Sequence, residues 1–170
     1  MCAAVLAGLS ICLRPNIIPQ LRLDKKALFI GLVSAVALYV IFVAGKAFIV
    51  MVLPFGGDQI GEIYKKGQGT PLWAMASLSL FVIGPSEELF WRGYLQRELM
   101  NNFGQWQGWL IGTTLYGGVH FWSFNLTLVL AAIVAGAFWG AIYWRFNNLA
   151  TVIVSHSIWS MAVFAFFPFG

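Results

Sequence analysis

The chain has 170 residues, of which 60% are hydrophobic and 9% are Asp, Glu, Lys or Arg. A soluble domain carries about 25% charged residues, so a single soluble core is excluded, and the length predicts one all-α, polytopic bundle of membrane helices in contact with lipid. The net charge is +4, but no basic run exceeds two residues and the positives are scattered over short connectors, which argues against a nucleic-acid partner.

About five segments reach the roughly twenty apolar residues needed to cross a bilayer, preceded by a short N-terminal apolar segment. Met1 to Leu13 is too short to span, lacks the basic start and cleavage site of a signal peptide, and reads as a partial helix. Its two cysteines, Cys2 and Cys12, have no C-x-x-C spacing and read as packing residues rather than as a disulfide or zinc knuckle. Arg14 to Lys26 forms a polar connector. Ala27 to Leu53 is a long span ended by Pro54 and Gly56-Gly57, and Phe55 to Thr70 is the only long hydrophilic loop. Further spans are expected over Pro71 to about Leu99, Trp106 to Trp122, Leu126 to Trp144 and Leu149 to Phe167, with links at Asn101-Asn102, Asn125 and Asn147-Asn148. An alternative makes 94–108 an interfacial stretch, with the second of these spans starting near Trp109 and His120 correspondingly shallower.

Lysine and arginine set the orientation, because loops rich in them stay on the cytoplasmic side. Arg14, Arg22, Lys25, Lys26, Arg92, Arg97 and Arg145 fall in or near alternate connectors, against only Lys65 and Lys66 in the opposite set. The Phe55–Thr70 loop is therefore expected outside, and the segment after it should run inward. Lys46, left within a span, reads as a lysine snorkelling toward an interface.

Glu87, Glu88 and Arg92 stand within six residues inside the apolar stretch from Leu72 to Tyr94. An ionisable group at membrane depth costs at least about 2.5 kcal/mol, so such a cluster marks a working site by default. Residues four apart share a helix face, which pairs Glu88 with Arg92 and turns Glu87 about 100° away. Glu87 is thus the candidate general base, facing whatever the bundle encloses. The competing reading is an ion-pair knot that locks helix packing, or a patch where Arg92 reaches lipid headgroups. His120 and His156 are the only histidines, each in a separate apolar segment. Tyr116 precedes His120 by four and Ser160 follows His156 by four, so each imidazole shares a face with a hydroxyl. Gly117 and Gly118, and Gly136 and Gly140 in the next span, would let helices approach closely.

The segments Glu87-Glu88-Leu-Phe-Trp-Arg92, Tyr116-Gly-Gly-Val-His120 and His156-Ser-Ile-Trp-Ser160 resemble the three ordered motifs of the CPBP intramembrane protease family, also called Abi or CAAX-protease-like. That family includes the type II CAAX prenyl endopeptidase and bacterial proteins linked to bacteriocin processing and self-immunity. The resemblance covers about residues 72–167. It departs from the family pattern at Tyr116, where phenylalanine is usual, and at Ser160, where asparagine is usual. It implies a division into N-terminal membrane segments and outward loop, 1–71, and a catalytic core, 72–170. It also implies hydrolysis of a peptide bond in a membrane-associated peptide or protein, either a prenylated C-terminus, a bacteriocin leader or another membrane-protein substrate. In that reading Glu87, aided by His120, activates a water, while His156 and Ser160 donate hydrogen bonds to the developing oxyanion. Glu88 and Arg92 position the helix and Tyr116 lines the cavity. No cofactor is required. In the zinc alternative, a metalloprotease, Glu87, His120 and His156 would be the ligands. A catalytically silent immunity or accessory protein and a proton or ion pathway are the non-protease readings. Short loops and the lack of a eukaryotic targeting signal point to a multi-pass protein of a prokaryotic cytoplasmic membrane.

Overall fold

The computed structural model describes residues 2–13 and 15–169, with side chains from 5–13 and 17–169. Arg14, counted in the first basic connector, and the side chain of Cys2 lie outside the described residues. All regular structure in the described residues is helical. In chain order come α1 (Cys2–Leu13), a 3-10 turn (Pro15–Gln20), α2 (Lys25–Val52) and α3 (Gly56–Lys65). A long helical rod over 72–103 follows, built from α4 (Leu72–Leu78), α5 (Gly84–Glu88) and α6 (Arg97–Phe103) joined by π-helical runs at Ser79–Ile83 and Leu89–Gln96. Then come α7 (Gln105–Gly118) with a 3-10 turn (Val119–Ser123), α8 (Leu126–Phe146), and α9 (Leu149–Met161), which continues as a π-helical run to Phe166.

Three of these helices are long and apolar enough to cross a membrane: Lys25–Val52, Leu126–Phe146 and Leu149–Phe166. They bury different fractions of themselves, 28%, 44% and 61% in that order, so α9 is the axis of the bundle. Small residues make this possible. α2 turns Ala27, Gly31, Ser34, Ala35 and Leu38 inward and leaves its other faces exposed, and a Cβ on Gly31 would stand 2.7 Å from Val154 of α9. Gly84 of the rod lies against α9 just as closely: a Cβ there would stand 2.9 Å from the Ser157 Cα. Gly136 and Gly140 of α8 admit Tyr116 and Trp109, and Gly117 admits Ile133, whereas Gly118 has nothing within 4 Å. Of the four glycines expected to permit close approach, Gly118 is the one that does not.

The caps follow the sequence. Asp24, Asn125 and Asn148 each accept a backbone N–H in the first turn of α2, α8 and α9, and Asn147 ends α8 with a left-handed φ of 46°, a conformation asparagine tolerates. Other boundaries differ from expectation. The Asn101-Asn102 link is helical, and the rod stops instead at Gly104, whose φ of +91° favours glycine. α7 starts at Gln105, one residue before the Trp106 expected. The hydrophilic Phe55–Thr70 loop contains α3, latched onto the start of α8 by Gln59, whose side-chain oxygen accepts from the Thr127 N–H and hydroxyl and whose carbonyl accepts from Asn125. Cys12 is not a packing residue: it is an exposed free thiol. Lys46 is exposed and donates to the Phe169 carbonyl.

The π-helical run at Ser79–Ile83 has a local cause. Pro85 has no N–H to give to the carbonyl four residues back, and its ring crowds that carbonyl. The helix widens immediately before it, with the Gly84 N–H reaching back to the Ser79 carbonyl. Glu87 and Glu88 thus sit on a short α-helical island between two widened stretches, a feature frequent at functional sites.

Candidate active site

Glu88 is fully buried. Its Oε1 accepts from Arg92 Nη1 at 2.8 Å and from His156 Nδ1 at 2.7 Å, so the i,i+4 pairing read from the sequence forms and a histidine from α9 joins it. Arg92, 1% exposed, also donates through Nη2 to the Gly136 carbonyl at 3.1 Å. Its guanidinium lies 4.7 Å from the Tyr116 ring centroid and 5.6 Å from that of Trp139, a position favourable for a cation. A buried charge needs a partner and further hydrogen bonds, and here three helices supply them. The alternative in which Arg92 reaches lipid headgroups does not hold, because the side chain is enclosed.

Glu87 is half-buried and faces differently. The Tyr116 hydroxyl donates to its Oε2 at 3.0 Å. His120 lies beyond α7 in the 3-10 turn, half-buried, where its Nδ1–H donates to the Tyr116 backbone carbonyl at 2.8 Å. The rings of Tyr116 and His120 are 5.4 Å apart. Tyr116 therefore contacts Glu87 with its side chain and His120 with its backbone and ring, and in both contacts an acceptor fixes the donor: the Nδ1 of His120 carries the proton, leaving Nε2 uncommitted by that bond.

The predicted residues thus fall into two adjoining groups. Glu87, Tyr116 and His120 form one, Glu88, Arg92 and His156 the other, and Ser160 is buried one turn beyond His156 on α9. Tyr116, between Glu87 and the Arg92 guanidinium, joins them. His156 has Glu88 as its carboxylate partner. Among the described residues no three His, Cys, Asp or Glu side chains gather as a metal-binding group, so Glu87, His120 and His156 do not fit the zinc alternative as a ligand set. A cavity of about 340 Å³ between α2, α3, α8 and α9 has none of these site residues in its wall.

Several site contacts were not anticipated. Trp139 of α8 stacks on His156 with ring centroids 3.8 Å apart and planes 16° from parallel. Nothing marks it among the 8 tryptophans of the chain. Gln96, which donates to the Gly140 carbonyl at 2.9 Å, did carry a signal: Glu88, Arg92 and Gln96 form a polar stripe at i, i+4 and i+8 in an apolar helix.

In this helical membrane bundle a buried carboxylate meets an imidazole from α9, and its half-buried neighbour shares Tyr116 with a second imidazole. Comparison with known protein families returns a match over residues 69–162 to type II CAAX prenyl endopeptidase Rce1-like proteins, more than half of the 170-residue chain. The chain belongs to that family, and the family is one of peptidases. The match includes every site residue named above. It gives no support to an Abi designation or to a metalloprotease assignment. Comparisons with curated proteins and with solved structures return no match.

Removing one member of a buried ion pair leaves the other charged and unpaired, at a cost of about 3–5 kcal/mol. Glu88→Gln should lower the unfolding free energy in detergent micelles by roughly that amount, while Glu87→Gln changes it by less than about 1 kcal/mol. Equal stabilities of the two variants would contradict the division between the carboxylates.

Proposed function

We propose that the protein is an intramembrane endopeptidase of the CAAX type that hydrolyses a peptide bond with a water activated by Glu87. The single observation that carries this reading is the contrast between the carboxylates: Glu88 is sealed between Arg92 and His156, whereas Glu87 keeps one oxygen beyond its bond to Tyr116 and stays half-buried. A general base must reach its proton, so Glu87 is the carboxylate able to act.

In this mechanism Glu87 takes a proton from water as the oxygen attacks the scissile carbonyl carbon. His120 assists through Nε2, with its ring fixed by the bond from Nδ1 to the Tyr116 carbonyl. The oxyanion that forms is met by His156, its ring protonated at both nitrogens and donating from Nε2 with the Glu88 carboxylate behind Nδ1, and by the Ser160 hydroxyl. Glu87 then returns the proton to the departing amine as the C–N bond breaks. The low dielectric of a membrane interior strengthens these dipoles. No cofactor takes part, and the substrate is a membrane-associated peptide or protein such as a prenylated C-terminus. The catalytic core is 72–170, carried in a prokaryotic cytoplasmic membrane.

The purified protein should cleave members of a peptide panel that includes prenylated C-terminal peptides, in the presence of a zinc chelator as well as without it. Glu87→Gln should remove cleavage at least about a thousandfold while the variant stays folded, as loss of a positioned base does. Retained cleavage by that variant would contradict the assignment, and loss on chelation would contradict the metal-free mechanism.

The same reading has five crossings, the rod over 72–103 and the 105–123 segment joining α2, α8 and α9. Single cysteines at Gln68 and Asn101, in a chain with Cys2 and Cys12 replaced by serine, should then react with an impermeant maleimide from opposite sides of the membrane. Reaction of both from one side would instead mean that the two segments re-enter without crossing.

A further inference from the structure

Resting on the peptidase reading, we propose that Trp139 is a positioning residue that sets the ring plane of His156. The bond from His156 Nδ1 to Glu88 fixes one point on the imidazole edge, while the tilt of the ring plane allowed by the two side-chain torsions is left to other contacts. The stack on Trp139, with centroids 3.8 Å apart and planes 16° from parallel, sets that tilt. The two constraints come from different helices, Glu88 from the rod and Trp139 from α8, so together they lock the ring relative to the whole bundle.

The indole is itself held. Trp139 is 1% exposed, and its Nε1–H donates to the Ser155 Oγ at 3.2 Å. Ser155 is the residue before His156 on α9, and its hydroxyl also meets Ser34 of α2 at 2.9 Å. The Trp159 ring presents its edge to Trp139 at 5.6 Å and 80°. A closed loop results, from the α9 backbone through Ser155 to the indole and back through the stacked rings to His156. Held at both its edge and its face, the imidazole keeps Nδ1 on Glu88 and Nε2 in one fixed direction, as a preorganised oxyanion donor requires.

The chain has only two histidines, so ¹⁵N NMR of the imidazoles in the full-length protein in micelles is readable, with a His120→Gln variant to assign the signals. His156 should show a single set of ring ¹⁵N signals in the parent and in Trp139→Phe, which keeps an aromatic face, and more than one set in Trp139→Leu. Because small displacements of a catalytic group cost large factors in rate, Trp139→Leu should lower kcat about tenfold or more with KM within about twofold of the parent, and Trp139→Phe should recover most of the loss. An unchanged His156 spectrum in Trp139→Leu, or an unchanged kcat, overturns the proposal. Should Trp139→Leu not fold, Ser155→Ala decides, since it frees the indole without opening a large cavity: broadened His156 signals support the proposal and parent-like signals overturn it. If the parent cleaves nothing, the peptidase reading fails, while the spectra still decide whether Trp139 holds the ring.

Discussion

The Glu88 carboxylate is the point on which the arrangement depends. It is fully enclosed, and a bare carboxylate in such a place costs several kcal/mol even after relaxation. The cost is offset only because Arg92 and His156 both donate to one oxygen, and that requirement fixes three helices at once. The rod must pack against α9 closely enough for Gly84 to meet Ser157. α8 must bring the Gly136 carbonyl to the second arm of Arg92. A charge that cannot be left alone thus specifies one relative placement of the rod, α8 and α9, where apolar packing in lipid would tolerate several.

That placement in turn separates the neighbouring glutamates. With Glu88 turned into the α9 interface, Glu87 is rotated toward α7, where Tyr116 and the His120 turn stand. Tyr116 serves both sides: its ring lies beneath the Arg92 guanidinium and its hydroxyl holds Glu87. The buried carboxylate and the half-buried one are adjacent in sequence, yet each has its own set of partners. This is also the answer to the competing reading of an ion-pair knot. The knot exists, formed by Glu88, Arg92 and His156, and Glu87 lies outside it.

Much of this was legible from spacing, and the limits of spacing are equally plain. The Glu88–Arg92 pair follows from i,i+4 geometry within one helix, and the asparagine caps of α8 and α9 follow from local chemistry. Which carboxylate His156 would meet depends on the rotation of α9 against the rod, a tertiary quantity that no local pattern contains. The same applies to Trp139, identical in type to its fellow tryptophans and distinguished only by what it faces. α3 was hidden because a polar segment between membrane helices reads as loop, although its Ile60 and Gln59 contacts hold it to the bundle. The helix end at Phe103 rather than near Leu99 reflects Gly104, whose positive φ stops the rod where the asparagines do not.

The central claim is that Glu88 and His156 act as one buried unit. A double-mutant cycle of Glu88→Gln and His156→Asn, read as unfolding free energy in micelles, measures their coupling directly. Groups in direct contact within one network couple by about 0.5–3 kcal/mol, and a value of at least about 1 kcal/mol is expected here. Additivity within about 0.5 kcal/mol, the behaviour of independent sites, would contradict the account.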